Sequence, residues 1–267
     1  MELLTYTFVQ YAFLGGISIA LLAGLLGPFV VHSRQAYASD MFAHVALAGI
    51  GAALLLDMGP WWGALPALLL VSTLLWYLGL QNNYSPDSLA ILFLSGGLAL
   101  ALAFVHLAED RNFSFENYLF GSILTLTPAE LWGIATAVCL LSAVVYALWY
   151  PLIGATQSPA YAIPYSWRPK TVRLLFFWIL AVVVWVGIKT VGGLLIGALL
   201  VIPTLIVRNW VSSFKALVAG SVLVTVGSMI GGLLLSLFLD LPPSSLIIGV
   251  LIVVFVGQLL YGYVVKR

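Results

Sequence analysis

Nine apolar stretches follow one another along the 267 residues, at about 6–31, 39–56, 60–79, 87–108, 128–150, 171–190, 193–207, 213–239 and 244–264. About 20 apolar residues in a helix cross the roughly 30 Å of bilayer hydrocarbon. The breaks between these stretches are marked by Pro, Gly, Asn or charge. Backbone N–H and C=O groups cannot be left unpaired in lipid, and a helix pairs them within one segment. The chain therefore reads as all-α, a polytopic membrane helix bundle of nine transmembrane helices forming a single domain over residues 1–267. The seventh stretch is short and follows Gly192-Gly193 directly. A bent or partial crossing there leaves eight full spans as the alternative.

Composition excludes a water-facing fold, since 63% of residues are hydrophobic and 7% charged, against about 25% charged in soluble domains. A net charge of +1 points to neither nucleic acid nor an acidic substrate. Glu2 stands where a signal peptide would be basic, and no small-residue cleavage pattern follows, so the first stretch reads as a retained span. The single cysteine, Cys139, offers no disulfide.

Basic residues concentrate on the cytoplasmic side of membrane proteins. With the N-terminus outside, eight of the ten fall inside: Arg34, Arg168, Lys170, Arg173, Arg208, Lys215, Lys266 and Arg267. Glu2, Asp57, Glu109, Asp110, Glu116 and Asp240 then lie outside with Arg111 and Lys189. The expected topology is N-terminus out, C-terminus in. Lys189 reads as an interfacial anchor, as do His32 and Arg34 at the inner end of the first span.

Two connections exceed a tight turn. Residues 109–127 lie outside, and their mix of aromatic, apolar and acidic residues suits a short interfacial helix. Residues 151–170 lie inside and hold four prolines with Tyr161, Tyr165 and Trp167. Long loops of such composition are usually functional, which favours partner docking over an aromatic belt. Small-xxx-small pairs at Gly193/Gly197 and Gly227/Gly231 suit close helix packing in lipid.

No GxxxxGK[ST], HExxH or CxxC motif is present, so the chain has no ATPase motif of its own. The informative groups are ionisable residues within the spans, which are costly in hydrocarbon. Asp40 and His44 are four residues apart, on one helix face and about 6 Å apart along the axis. A carboxylate and an imidazole together suit zinc, or manganese where oxygen donors dominate. Two ligands make a weak site, as a transporter needs for release, and a second copy could supply two more. The alternative is an aspartate capping the helix start beside a hydrogen-bonded histidine. His106 with Glu109 and Asp110 reads as an acidic helix end. Asp87, after Ser85-Pro86, is read as an N-cap or first-turn acid.

The order of these features resembles the permease subunits of bacterial zinc- and manganese-importing ABC transporters, over nearly the whole chain. The resemblance rests on Gly27-Pro28-Phe29-Val30-Val31 leading to Ser39-Asp40-Met41-Phe42-Ala43-His44, on Tyr118-Leu119-Phe120-Gly121, on Ser158-Pro159, and on Val191 to Pro203. Ser39 and Val45 replace the family's usual Gly and Ala. The resemblance implies a homodimer in the bacterial inner membrane, two copies of a separate ATPase and an extracytoplasmic metal-binding protein, with no permanently bound cofactor. It carries the metal-contacting role onto Asp40 and His44, with zinc, manganese or iron as cargo. It also makes residues 151–170 a cytoplasmic coupling loop, with Ser158, Pro159, Tyr161, Tyr165 and Trp167 contacting the ATPase. Pro164 ends any helix there after little more than one turn, implying a docking element shorter than the family's.

An ion-gradient-driven secondary transporter is the competing reading. It would favour more buried carboxylates and an internal repeat, and the sequence shows neither. The ligand set is too poor for an intramembrane metalloenzyme.

Overall fold

A computed structural model describes residues 6–81, 84–108, 118, 121, 123–156 and 168–265, with side chains through Tyr263. Ten α-helices are defined among them: α1 (Thr7–His32), α2 (Ala36–Leu55), α3 (Pro60–Leu80), α4 (Pro86–Leu107), α5 (Pro128–Ala147), α6 (Trp149–Thr156), α7 (Pro169–Val191), α8 (Gly193–Val207), α9 (Phe214–Leu239) and α10 (Pro243–Val265). A short 3-10 turn, Ile123–Thr125, precedes α5, and no strand occurs among the described residues. Each of the nine apolar stretches is a helix, with ends within three residues of those read from sequence.

Local chemistry explains why the ends fall where they do. Helices α3, α4, α5, α7 and α10 each begin on proline, whose missing N–H costs nothing in the first turn. Ser85 accepts from Ser88 N and so caps α4, which leaves Asp87 as a first-turn acid. Thr127 and Glu130 form a reciprocal capping box at α5, and Ser213 caps α9.

Eight helices are long and apolar enough to cross a membrane, and α8 is not. Its 15 residues span about 22 Å. Gly192, with φ 92° and ψ 159°, reverses the chain between α7 and α8 in a backbone region open essentially to glycine. A Cβ on Gly187 would lie 2.5 Å from Ile196 Cγ1, so the first turn of α8 packs back against the end of α7.

The inner loop begins later than the sequence suggested. Residues 149–156 are helical, and Pro151 falls in the first turn, where it is tolerated. Edge-to-face contacts among Phe29, Trp149 and Phe214, with centroids 4.9 to 5.9 Å apart, lock the start of α6 between α1 and α9.

In lipid, close packing rather than water exclusion holds helices together. α2 and α3 cross with Gly49 and Gly63 facing each other, and a Cβ on either would strike the other's carbonyl oxygen. Of the pairs read from sequence, Gly193 and Gly197 do face α2: a Cβ added to them would stand 3.3 Å from Ala43 Cβ and 3.8 Å from Ser39 Oγ. Gly227 and Gly231 make no such approach; their neighbour Gly232 does, against Ile247 of α10. Two packed groups result: α2 with α3, α4 and α7, and α1 with α5, α8 and α9; α7 and α8 touch both.

Candidate functional site

Helix α2 is the most enclosed of the long helices, with 78% of its apolar window buried. After its first residue, the positions left open or half-open are Tyr37, Asp40, His44, Ala52 and Leu55. Their spacing traces one stripe along the helix. The two ionisable residues of α2 thus share the one face that neighbouring helices leave uncovered. Asp40 is exposed; His44 is half-buried, and its Nδ1 is fully buried without a hydrogen-bond partner. Asp40 does not cap the helix, because α2 starts four residues earlier at Ala36 and Gln35 is its N-cap.

α8 presents a matching open stripe: Leu194, Gly197, Ala198, Val201, Ile202 and Leu205. It is apolar throughout. Because Gly193 faces Ala43 and Gly197 faces Ser39, α8 runs antiparallel to α2 and begins at the level of His44.

Tyr118 closes the same level. Its ring is 5% exposed, and its hydroxyl donates to the Ala43 carbonyl at 3.2 Å. Burial pushes its phenol well above the ordinary tyrosine range, so it stays a neutral donor. Three residues on, Gly121 at φ 71° lies so close to the Val191-Gly192 peptide that a Cβ would clash. Tyr118 is thus buried in the bundle, and Gly121 rests on the α7–α8 reversal.

An oxygen and a nitrogen donor on one open stripe can hold a borderline divalent cation. Among the described residues no three His, Cys, Asp or Glu cluster for a metal. One copy supplies two donors, and a closed coordination shell needs more.

The other residues singled out in the sequence lie elsewhere. His106 is exposed in the last turn of α4, and Glu109 and Asp110 fall outside the described residues. His32 Nδ1 donates to the Pro28 carbonyl at 2.9 Å. Lys189 is not a free anchor: it pairs with Glu130 at 3.5 Å and lies 5.7 Å from the Trp61 ring centroid. Ser158, Pro159, Tyr161, Tyr165 and Trp167 all lie outside the described residues. The flanks of their loop are fixed, by the aromatic contacts of α6 and by Trp76 Nε1 donating to the Lys170 carbonyl at 2.7 Å.

The profile of the ABC 3 transport family matches residues 5–262. The chain belongs to that family. It is a permease of the metal-importing ABC transporters and a multi-pass protein of the bacterial inner membrane. The high-affinity zinc uptake system membrane protein ZnuB of Haemophilus influenzae is 29% identical over 229 residues, covering 86% of this chain and 88% of that one. The manganese import system permease protein ScaB of Streptococcus parasanguinis is 26% identical over 246 residues, covering 91% and 86%. PsaBC from Streptococcus pneumoniae, solved in complex with Fab, has the same fold, with a TM-score of 0.83 at 19% identity over 96% of this chain and 92% of that chain. As an ABC-3 member the chain is a transport subunit, and the secondary-transporter reading is not favoured.

Proposed function

We propose that two copies of this chain form the pathway of an ATP-driven importer for a divalent transition metal, with Asp40 and His44 as the residues the cation touches. Zinc is the first choice, because an imidazole and a carboxylate match its borderline character; manganese and iron accept the same donors. The carrying observation is the open stripe of α2. A helix enclosed on every other side leaves a carboxylate uncovered and, one turn on, a half-buried imidazole with an unpartnered nitrogen, beside the bare apolar stripe of α8. A second copy laid against these stripes would double the donors to four. The names of the relatives above, one a zinc and one a manganese system, support this cargo class.

In the same reading, the N-terminus lies outside and a metal-binding protein delivers the cation there. A separate ATPase docks on the cytoplasmic loop 151–170 through Ser158, Pro159, Tyr161, Tyr165 and Trp167. The aromatic lock of α6 onto α1 and α9 would pass its movement into the bundle.

The test is metal uptake normalised to membrane abundance. Asp40→Asn and His44→Ala are each expected to abolish zinc or manganese uptake at normal abundance. The double variant should cost little more than either single one, since both groups hold one ion. Normal uptake by a well-expressed double variant would overturn the assignment.

A further inference from the structure

Two small cavities adjoin where α1 hands over to α2 and α7 begins. One, of about 190 Å³, is lined by Gln35, Gly79, Tyr84, Pro86 and Arg173 among others. Its neighbour, of about 200 Å³, is lined by Ser33, Gln35, Thr156, Arg173 and Phe176 among others. Gln35 and Arg173 line both. The Arg173 guanidinium lies 6.0 Å from the Phe177 ring centroid, and Gly79 opposite leaves it room, since a Cβ there would stand 3.4 Å from Nη2. Arg173 is half-buried and Gln35 is 8% exposed.

Neither side chain has an ion-pair or hydrogen-bond partner among the described residues. The sequence limits what could supply one. Residues 148–190 contain no acid, residues 33–56 only Asp40 and residues 78–107 only Asp87. Asp87 is exposed in the first turn of α4 and pairs with no described base. Arg34, Arg168 and Lys170 add further positive charge at this end.

A guanidinium is charged at any working pH, and leaving it partly desolvated without an anion is costly. Its planar fork matches two phosphate oxygens, and the Gln35 amide can donate to a third. The first cavity is bordered by the end of α3 and the start of α4, and these helices carry exposed Leu74, Tyr77, Ile91 and Leu92. Those side chains suit acyl chains, and basic pockets between membrane helices take anionic headgroups. We propose that Arg173 and Gln35 bind a phosphate group, supplied by an anionic phospholipid seated against α3 and α4. The bound headgroup would brace Gln35, the residue from which α2 starts. This inference is independent of the metal reading.

Native mass spectrometry of the delipidated full-length protein, titrated with phosphatidylglycerol or phosphatidylcholine, tests it. The wild type is expected to retain phosphatidylglycerol in preference to phosphatidylcholine. Arg173→Gln should weaken that retention about fivefold, the worth of one basic residue at a charged membrane surface. Arg173→Lys, which keeps charge without the fork, should fall between and serve as the well-folded comparison. Arg208→Gln, an exposed base at the same end, should change it less than twofold. Displacement by millimolar inorganic phosphate, dependent on Arg173, would keep the phosphate site but assign it to a soluble anion. Equal retention by wild type and both Arg173 variants, or an equal loss in Arg208→Gln, would overturn the site.

Discussion

As candidates, Asp40 and His44 stand out in the sequence because two ionisable residues at helical spacing within an apolar stretch demand an explanation, whatever the fold around them. Tyr118, which closes their level, enters the sequence reading only through the family resemblance, with no hint of what it touches. Tyr118 donates to a carbonyl 75 positions away in sequence, and no local pattern encodes such a partner. Arg173 enters the sequence reading only as one of the inner basic residues and Gln35 carries no signal there; only packing brings the two to shared cavities. Tyr118→Phe removes the hydroxyl and leaves the ring in place. The Ala43 carbonyl keeps its place in the α2 ladder, so the loss is expected to be about 1 kcal/mol. Thermal unfolding of the solubilised protein should show a lowered Tm, and an unchanged Tm would mean that the bond contributes nothing.

The elements were almost wholly legible, since lipid forces each long apolar run into a helix and proline fixes five of the starts. What the sequence left open was how α7 meets α8. Periodicity cannot distinguish a bend from a reversal; that depends on the φ of one glycine, here 92°. Likewise, a GxxxG pair does not say which face it serves, and the pair at Gly227/Gly231 meets little within this chain. The two glycine types make a matched experiment. Gly192→Ala forces a side chain into a glycine-only region and is expected to destabilise by about 2 kcal/mol. Gly227→Ala adds a methyl with nothing within 4 Å and should be neutral or stabilise by up to about 1 kcal/mol. Equal Tm values for the two variants would contradict the reversal at Gly192.

At the level of the whole molecule, charge asymmetry predicts which way the bundle faces. Single cysteines at positions within 157–167 should react only with reagent that reaches the cytoplasm, and those within 109–117 with impermeant reagent outside. Labelling of 109–117 from the cytoplasm would invert the topology and remove the proposed ATPase docking loop with it. Gly193, where α8 starts, lies against both Ala43 and Tyr118, so three parts of the chain far apart in sequence meet one residue from His44. Displacing any one of them disturbs the other two. In the proposed reading, a cation would therefore pass the level of His44 only when the bundle shifts as a body, because this junction offers no single part that can step aside alone.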